Sequence, residues 1–264
     1  MKFEKITLGV GKAELYVYQP DRISTKEAML VIPGGGYGAV CTDREGEPIA
    51  LAYLSKGITA FVLHYSVGKD APVNCPLAEA SAALAYIRRN AESYSIDPEK
   101  IYAVGFSAGG HLCGSLGTLW HKEGIAEKVG ISYGENRPNG VVLCYPVISG
   151  TSHPHIGSFR NLIGKTDPTE SELDDWSLEK HVDEKSAPAF IIHTVKDRLV
   201  PVQNALCIAT AYANAGRPFE LHVYPNGDHG FALATEVTAG GNEAWIDERY
   251  ARWVDDSMAF FRTL

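Results

Sequence analysis

The sequence predicts an α/β fold, a mostly parallel central sheet covered by helices on both faces. Two observations carry that expectation. Apolar runs recur at residues 28–32, 58–63, 101–106, 141–145, 188–195 and 219–224. Such runs mark strands buried on both faces. Between several of them, apolar residues fall at helical spacing, as with Leu77, Ala80, Leu84, Ile87 and Ala91. Strands alternating with helices build a parallel sheet.

Each element has its own signal. Residues 13–18 predict a first strand or hairpin near a sheet edge, ended by Pro20-Asp21. The strand at 28–32 is broken by Pro33-Gly34-Gly35-Gly36-Tyr37, and residues 47–56 read as helix before the strand at 58–63. The amphipathic helix through Leu84 ends before Asp97-Pro98, which turns the chain into the run 101–106. In the second half, Pro146 ends the strand 141–145, and a helix over 202–215 separates the last two strands. Tyr250, Trp253, Val254, Phe261 and Leu264 then form one helical stripe.

With no internal repeat, low-complexity tract or linker, residues 1–264 read as a single domain. Two segments, about 120–139 and 149–186, are too long for plain connections and are expected as insertions that build the rim of a site.

Composition narrows the function. The chain has 264 residues, 45% hydrophobic and 21% charged, as in ordinary globular proteins. A net charge of −8 argues against nucleic acid or an anionic membrane as partner. No leader and no apolar stretch of membrane-spanning length is visible. Five scattered cysteines without a C-x-x-C pair read as buried thiols in a reducing, cytoplasmic compartment, not as a disulfide frame or metal site. No cofactor is implied. The oligomeric state stays open, a homodimer included.

The chemistry centres on Gly105-Phe106-Ser107-Ala108-Gly109, a G-x-S-x-G pentapeptide between a buried strand and a helix. The bare motif arises by chance in roughly one chain of this length in ten, so it needs partners. A strand–turn–helix places a serine hydroxyl above the sheet and turns the next N–H, that of Ala108, toward a reacting atom. Serine needs a base, and the base an orienting acid. Ligands bind past the carboxyl ends of strands. Asp197 follows the strand ending at Val195, and His229 follows the strand ending near Tyr224. Asp228 is the competing acid, but a direct neighbour of His229 would point elsewhere. The other histidines, His155 among them, lack that strand-end position; His193 lies within a strand and His111 within a helix. The glycine run offers Gly35 or Gly36 as a further oxyanion donor beside Ala108. As a phosphate loop it fails, for no Lys-Ser or Lys-Thr follows.

Together, Pro33-Gly34-Gly35-Gly36-Tyr37, Arg44-Glu45-Gly46-Glu47-Pro48, Asp97-Pro98-Glu99-Lys100-Ile101, the Ser107 elbow, Asp197-Arg198-Leu199-Val200-Pro201 and His229-Gly230-Phe231 resemble the α/β-hydrolase superfamily. The likeness is to small bacterial esterases of the acetyl-xylan-esterase and lipase-like type, and it spans about residues 28–262. It implies an α/β-hydrolase fold and a serine esterase with the triad Ser107, Asp197 and His229. The substrates it implies are short acyl esters, with acetylated xylan- or mannan-derived oligosaccharides as candidates. An amide, formamide, peptide or lactone hydrolase is the alternative, and a catalytically silent binding module a second one. One departure stands out: Pro33 occupies the position where the family loop often has a histidine that steadies it. Tyr37, Phe106, Trp120 and Trp176 are the expected pocket wall.

Overall fold

The computed structural model describes residues 1–22 and 25–264. The chain begins with β1 (Lys2–Thr7), β2 (Glu14–Gln19) and β3 (Ala28–Ile32), then α1 (Thr42–Glu45), α2 (Glu47–Leu54) and β4 (Thr59–His64). Helices α3 (Ala71–Asn74) and α4 (Pro76–Arg89) lead to β5 (Ile101–Phe106), α5 (Ser107–Thr118), α6 (Ile125–Val129) and β6 (Gly140–Cys144). After α7 (Ile156–Ile163) and α8 (Glu170–Asp174) come β7 (Ala189–Thr194), α9 (Gln203–Asn214) and β8 (Phe219–Tyr224). Helices α10 (Glu236–Ala239) and α11 (Trp253–Phe261) close the order.

The strands form one eight-stranded sheet in the order β1-β2-β4-β3-β5-β6-β7-β8. The pairs β1–β2 and β2–β4 are antiparallel, and every pairing from β4 onward is parallel. The fold class is the one the apolar runs predict. Edge strand β1 carries no apolar signal because nearly all its residues are exposed; its sheet pairing is with β2, and Glu4 also accepts Tyr94 O–H at 2.7 Å.

Side-chain alternation divides the core. Ile101 and Ala103 of β5 pack with Leu84, Leu112 and Ile208 from α4, α5 and α9. Tyr102, Val104 and Phe106 face the other way, with Tyr53 of α2 and Trp253 of α11. The helices sandwich the sheet, and its strand ends are left to carry loops.

One expectation needs correction here. Residues 120–139 follow a helix, not a strand. Helix α5 runs back from the carboxyl end of β5, so the chain after it lies at the opposite end of the sheet. Asn139 marks the place: its N–H donates to Ile101 O at 2.8 Å and its Oδ1 accepts from Ile101 N–H at 3.2 Å, at the start of β5. The segment 149–186 follows β6 and does reach the carboxyl ends.

Candidate active site

Ser107 opens α5 with φ 53, in the left-handed region. That conformation costs about 1–3 kcal/mol and persists only where the surroundings enforce it. Here they do. A Cβ on Gly105 would stand 2.2 Å from Gly109 O, and one on Gly109 would stand 2.3 Å from both Ile32 O and Pro33 O. Strand β5, helix α5 and the end of β3 therefore meet backbone to backbone, and the Ser107 hydroxyl is held at their junction.

His229 Nε2 lies 2.8 Å from Ser107 Oγ, and its Nδ1 lies 2.6 Å from Asp197 Oδ2. The Asp197 side chain is fully buried and that of His229 nearly so. Backbone N–H groups of Leu199 and Val200 donate to Asp197 Oδ1 at 2.9 and 2.8 Å. The carboxylate so held accepts from Nδ1–H, which leaves Nε2 as the acceptor facing the serine. Asp228 takes the backbone N–H of His229 at 2.8 Å and does not orient the ring.

The glycine loop sits beside the serine. Gly34 N–H donates to Glu45 Oε2 at 2.8 Å, while the N–H groups of Gly35, Gly36 and Ala108 meet no acceptor among the described residues. Such groups can receive an oxyanion formed at Ser107. Pro33 cannot steady this loop through a side-chain hydrogen bond, but other groups do. Asn161 Nδ2 donates to Gly36 O at 2.8 Å, and Tyr65 Oη donates to Pro33 O at 2.8 Å. Tyr37 Oη bonds to His111 Nδ1 at 2.8 Å. His111 Nε2–H donates to Trp176 O at 2.8 Å, so Nδ1 must accept the tyrosine proton. Burial lowers the His111 pKa to about 4 and keeps this link neutral.

The expected pocket wall is largely misplaced. Tyr37 is 1% exposed and packs into the core against Tyr65 and His111. Phe106, by strand alternation, faces the α11 side under Tyr145 and Trp253. Trp120 lies beyond the far end of α5, about 18 Å along the helix from Ser107, where its Nε1–H donates to Lys185 O. Trp176 is half-buried, with Lys122 Nζ 5.0 Å from its ring; it bonds His111 Nε2–H through its carbonyl and sets its ring 6.3 Å from that of His111.

The residues that do face the site come from α7 and the loop before it. His155 Nδ1 bonds to Ser158 Oγ at 2.8 Å, and a Cβ on Gly36 would stand 3.9 Å from His155 Cε1. Burial, reinforced by nearby His229, lowers the His155 pKa. In the histidine loop, Gly230 lies beside Arg44, which covers the Trp245 ring at 4.9 Å. A histidine in the excursion that follows β6 was the available sequence signal; its position after a strand could have singled it out.

Among the described residues, no group of three or more His, Cys, Asp or Glu is arranged to hold a metal ion, and no helix is long and apolar enough to cross a membrane.

Comparison with known proteins agrees with this architecture. The family model BD-FAE matches residues 15–212, and that of the dienelactone hydrolase family matches residues 175–260. The chain is 40% identical to endo-1,4-beta-xylanase B of Butyrivibrio fibrisolvens over 242 residues, 90% of this chain and 37% of that protein. It is 33% identical to an acetylxylan esterase of Xylanibacter ruminicola, over 88% of this chain and 47% of that one. The chain thus spans less than half the length of either relative. Among solved structures, the acetyl ester-xyloside bifunctional hydrolase of Caldicellulosiruptor lactoaceticus matches with a TM-score of 0.80 and 34% identity, over 96% of this chain and 88% of that one.

Proposed function

The chain belongs to the BD-FAE family and has the α/β-hydrolase fold, and on that premise we propose that it is a serine esterase removing short acyl groups, acetyl above all, from small ester substrates. Acetylated oligosaccharides are the substrates we favour. The observation that carries the reading is the unbroken chain from Ser107 Oγ through His229 to Asp197, at 2.8 and 2.6 Å, beside N–H groups that have no acceptor of their own.

In this mechanism His229 Nε2 takes the serine proton as Ser107 Oγ attacks the ester carbonyl. The tetrahedral oxyanion is held by Ala108 N–H with that of Gly35 or Gly36. Asp197 stabilises the imidazolium, which then protonates the leaving alcohol. Water deprotonated by His229 attacks the acyl-enzyme, and the acid leaves with Ser107 restored. The sugar reading is supported by the names of the relatives and by the polar side chains of His155, beside the glycine loop, and Arg44, beside Gly230. The short-acyl reading is supported by the closeness of His155 to the glycine loop.

Hydrolysis rates across acetyl, propionyl, butyryl and octanoyl esters test the proposal, with acetylated xylo-oligosaccharides alongside. Efficiency should peak at acetyl or propionyl and fall steeply by octanoyl. Since a pocket gains only about 1–3 kcal/mol per methylene accommodated, a steep fall requires a closed end. Equal or better turnover of octanoyl esters would remove the short-acyl reading.

A further inference from the structure

We infer that Glu45 is a positioning residue, a buried carboxylate that ties the glycine loop to the histidine loop beneath Ser107. The inference rests on the esterase reading and adds a residue to it. Glu45 ends α1, eleven residues after Gly34, and is 1% exposed. Its Oε2 accepts Gly34 N–H at 2.8 Å, and its Oε1 accepts Tyr145 O–H at 2.8 Å. The Tyr145 oxygen in turn accepts Ala232 N–H at 3.1 Å, in the loop that carries His229. Tyr145 also sets its ring 5.0 Å from the His229 ring and 4.6 Å from that of Phe231. One carboxylate therefore joins the loops that follow β3, β6 and β8.

Its position is close to the chemistry without touching it. A Cβ on Gly34 would stand 2.8 Å from Glu45 Oε2 and 3.1 Å from Ser107 Cβ. Burying a carboxylate is costly unless donors satisfy it. Desolvation raises the Glu45 pKa, and nearby Arg44, whose Nε lies 3.8 Å from Oε1, opposes that rise. The choice of side chain follows from the two donors. A carboxylate accepts on both oxygens, whereas an amide offers one acceptor and would turn its NH2 toward the other donor. By taking up Gly34 N–H, Glu45 fixes the orientation of the next two peptide groups, those that present Gly35 and Gly36 N–H. By holding Tyr145, it fixes the loop that delivers the base.

The test compares Glu45→Gln and Tyr145→Phe with wild type for kcat and KM on an acetyl ester, and for affinity toward an alkylboronic acid. Ser107 Oγ adds to boron as its proton passes to His229, and the tetrahedral boronate anion occupies the donors as the oxyanion would. Glu45→Gln should lower kcat by about 100-fold, the scale of a small misplacement at a reacting centre. Boronate affinity should fall in parallel while KM stays little changed. Tyr145→Phe should lose about tenfold in kcat, the scale of one uncharged hydrogen bond. A merely structural role would lower the melting temperature and leave the kcat and boronate affinity of the folded fraction intact. Wild-type kcat and boronate affinity in either folded variant, or a loss confined to KM, would overturn the inference. If Glu45→Gln does not fold, Tyr145→Phe decides by the same criteria. A wild-type chain inert toward acetyl esters would overturn the esterase reading and this role with it.

Discussion

Residues 120–139 and 149–186 both interrupt the alternation of strand and helix, and both carry aromatic and charged side chains. They start at opposite ends of the sheet, and only the later part of the second returns to the first, where Trp120 Nε1–H donates to Lys185 O. The first packs Trp120 against Tyr133 and Arg137, and Glu135 pairs with Arg89 of α4. The second brings His155, Ser158 and Asn161 to the glycine loop. Length and composition do not separate them; the preceding element does. An excursion after a strand emerges at the carboxyl end, where ligands bind, and one after a helix emerges at the other.

The largest effects should come from the groups at the carboxyl ends of the strands. Ser107→Ala should cost on the order of 10⁴-fold or more in kcat, measured on an acetyl ester. Asp197→Asn should cost about 10⁴-fold by favouring the wrong His229 tautomer. Asp228→Asn should do far less, since its carboxylate holds only a backbone N–H. A reversal of those two effects would reassign the acid.

At the far end, effects should appear in stability and not in rate. Trp120→Ala removes a side chain only 5% exposed and should cost about 3 kcal/mol in denaturant unfolding, with kcat and KM unchanged. A kinetic effect there would bring 120–139 back to the site.

His111 and His193 predict acid sensitivity. Burial lowers both from 6.5 to about 4. Below pH 6.5 the unfolded chain takes up protons that the folded chain refuses until about pH 4. Stability therefore falls across that window as pH drops, by about 3 kcal/mol per histidine. Melting temperatures from pH 7 to pH 4 should show the decline, made shallower by His111→Gln. At the carboxyl end, His155→Ala should lower kcat/KM on acetylated oligosaccharides by about tenfold, one lost hydrogen bond. The melting temperature should barely move.

Much of this was legible in the sequence for a physical reason. Ser107, Asp197 and His229 each sit a few residues past a buried strand, and strand ends are local signals. The structure brings the three within hydrogen-bonding distance. The rim was not legible, because residue type does not say which way a side chain points. Phe106 is aromatic and adjacent to Ser107, yet alternation sends it into the core. Glu45 was visible only as part of a motif, since its partners Gly34 and Tyr145 are separated from it by chain that only folding brings together. Strand β1 escaped notice because it lies exposed at an edge.

The central claim is that ester hydrolysis runs through Ser107, and fluorophosphonate labelling followed in parallel with activity tests it most directly. The account predicts one phosphonyl group per chain, found by peptide mass on Ser107, with esterase activity lost in step with labelling and no label on Ser107→Ala. Label on a different residue, or undiminished ester turnover with Ser107 fully modified, would contradict it.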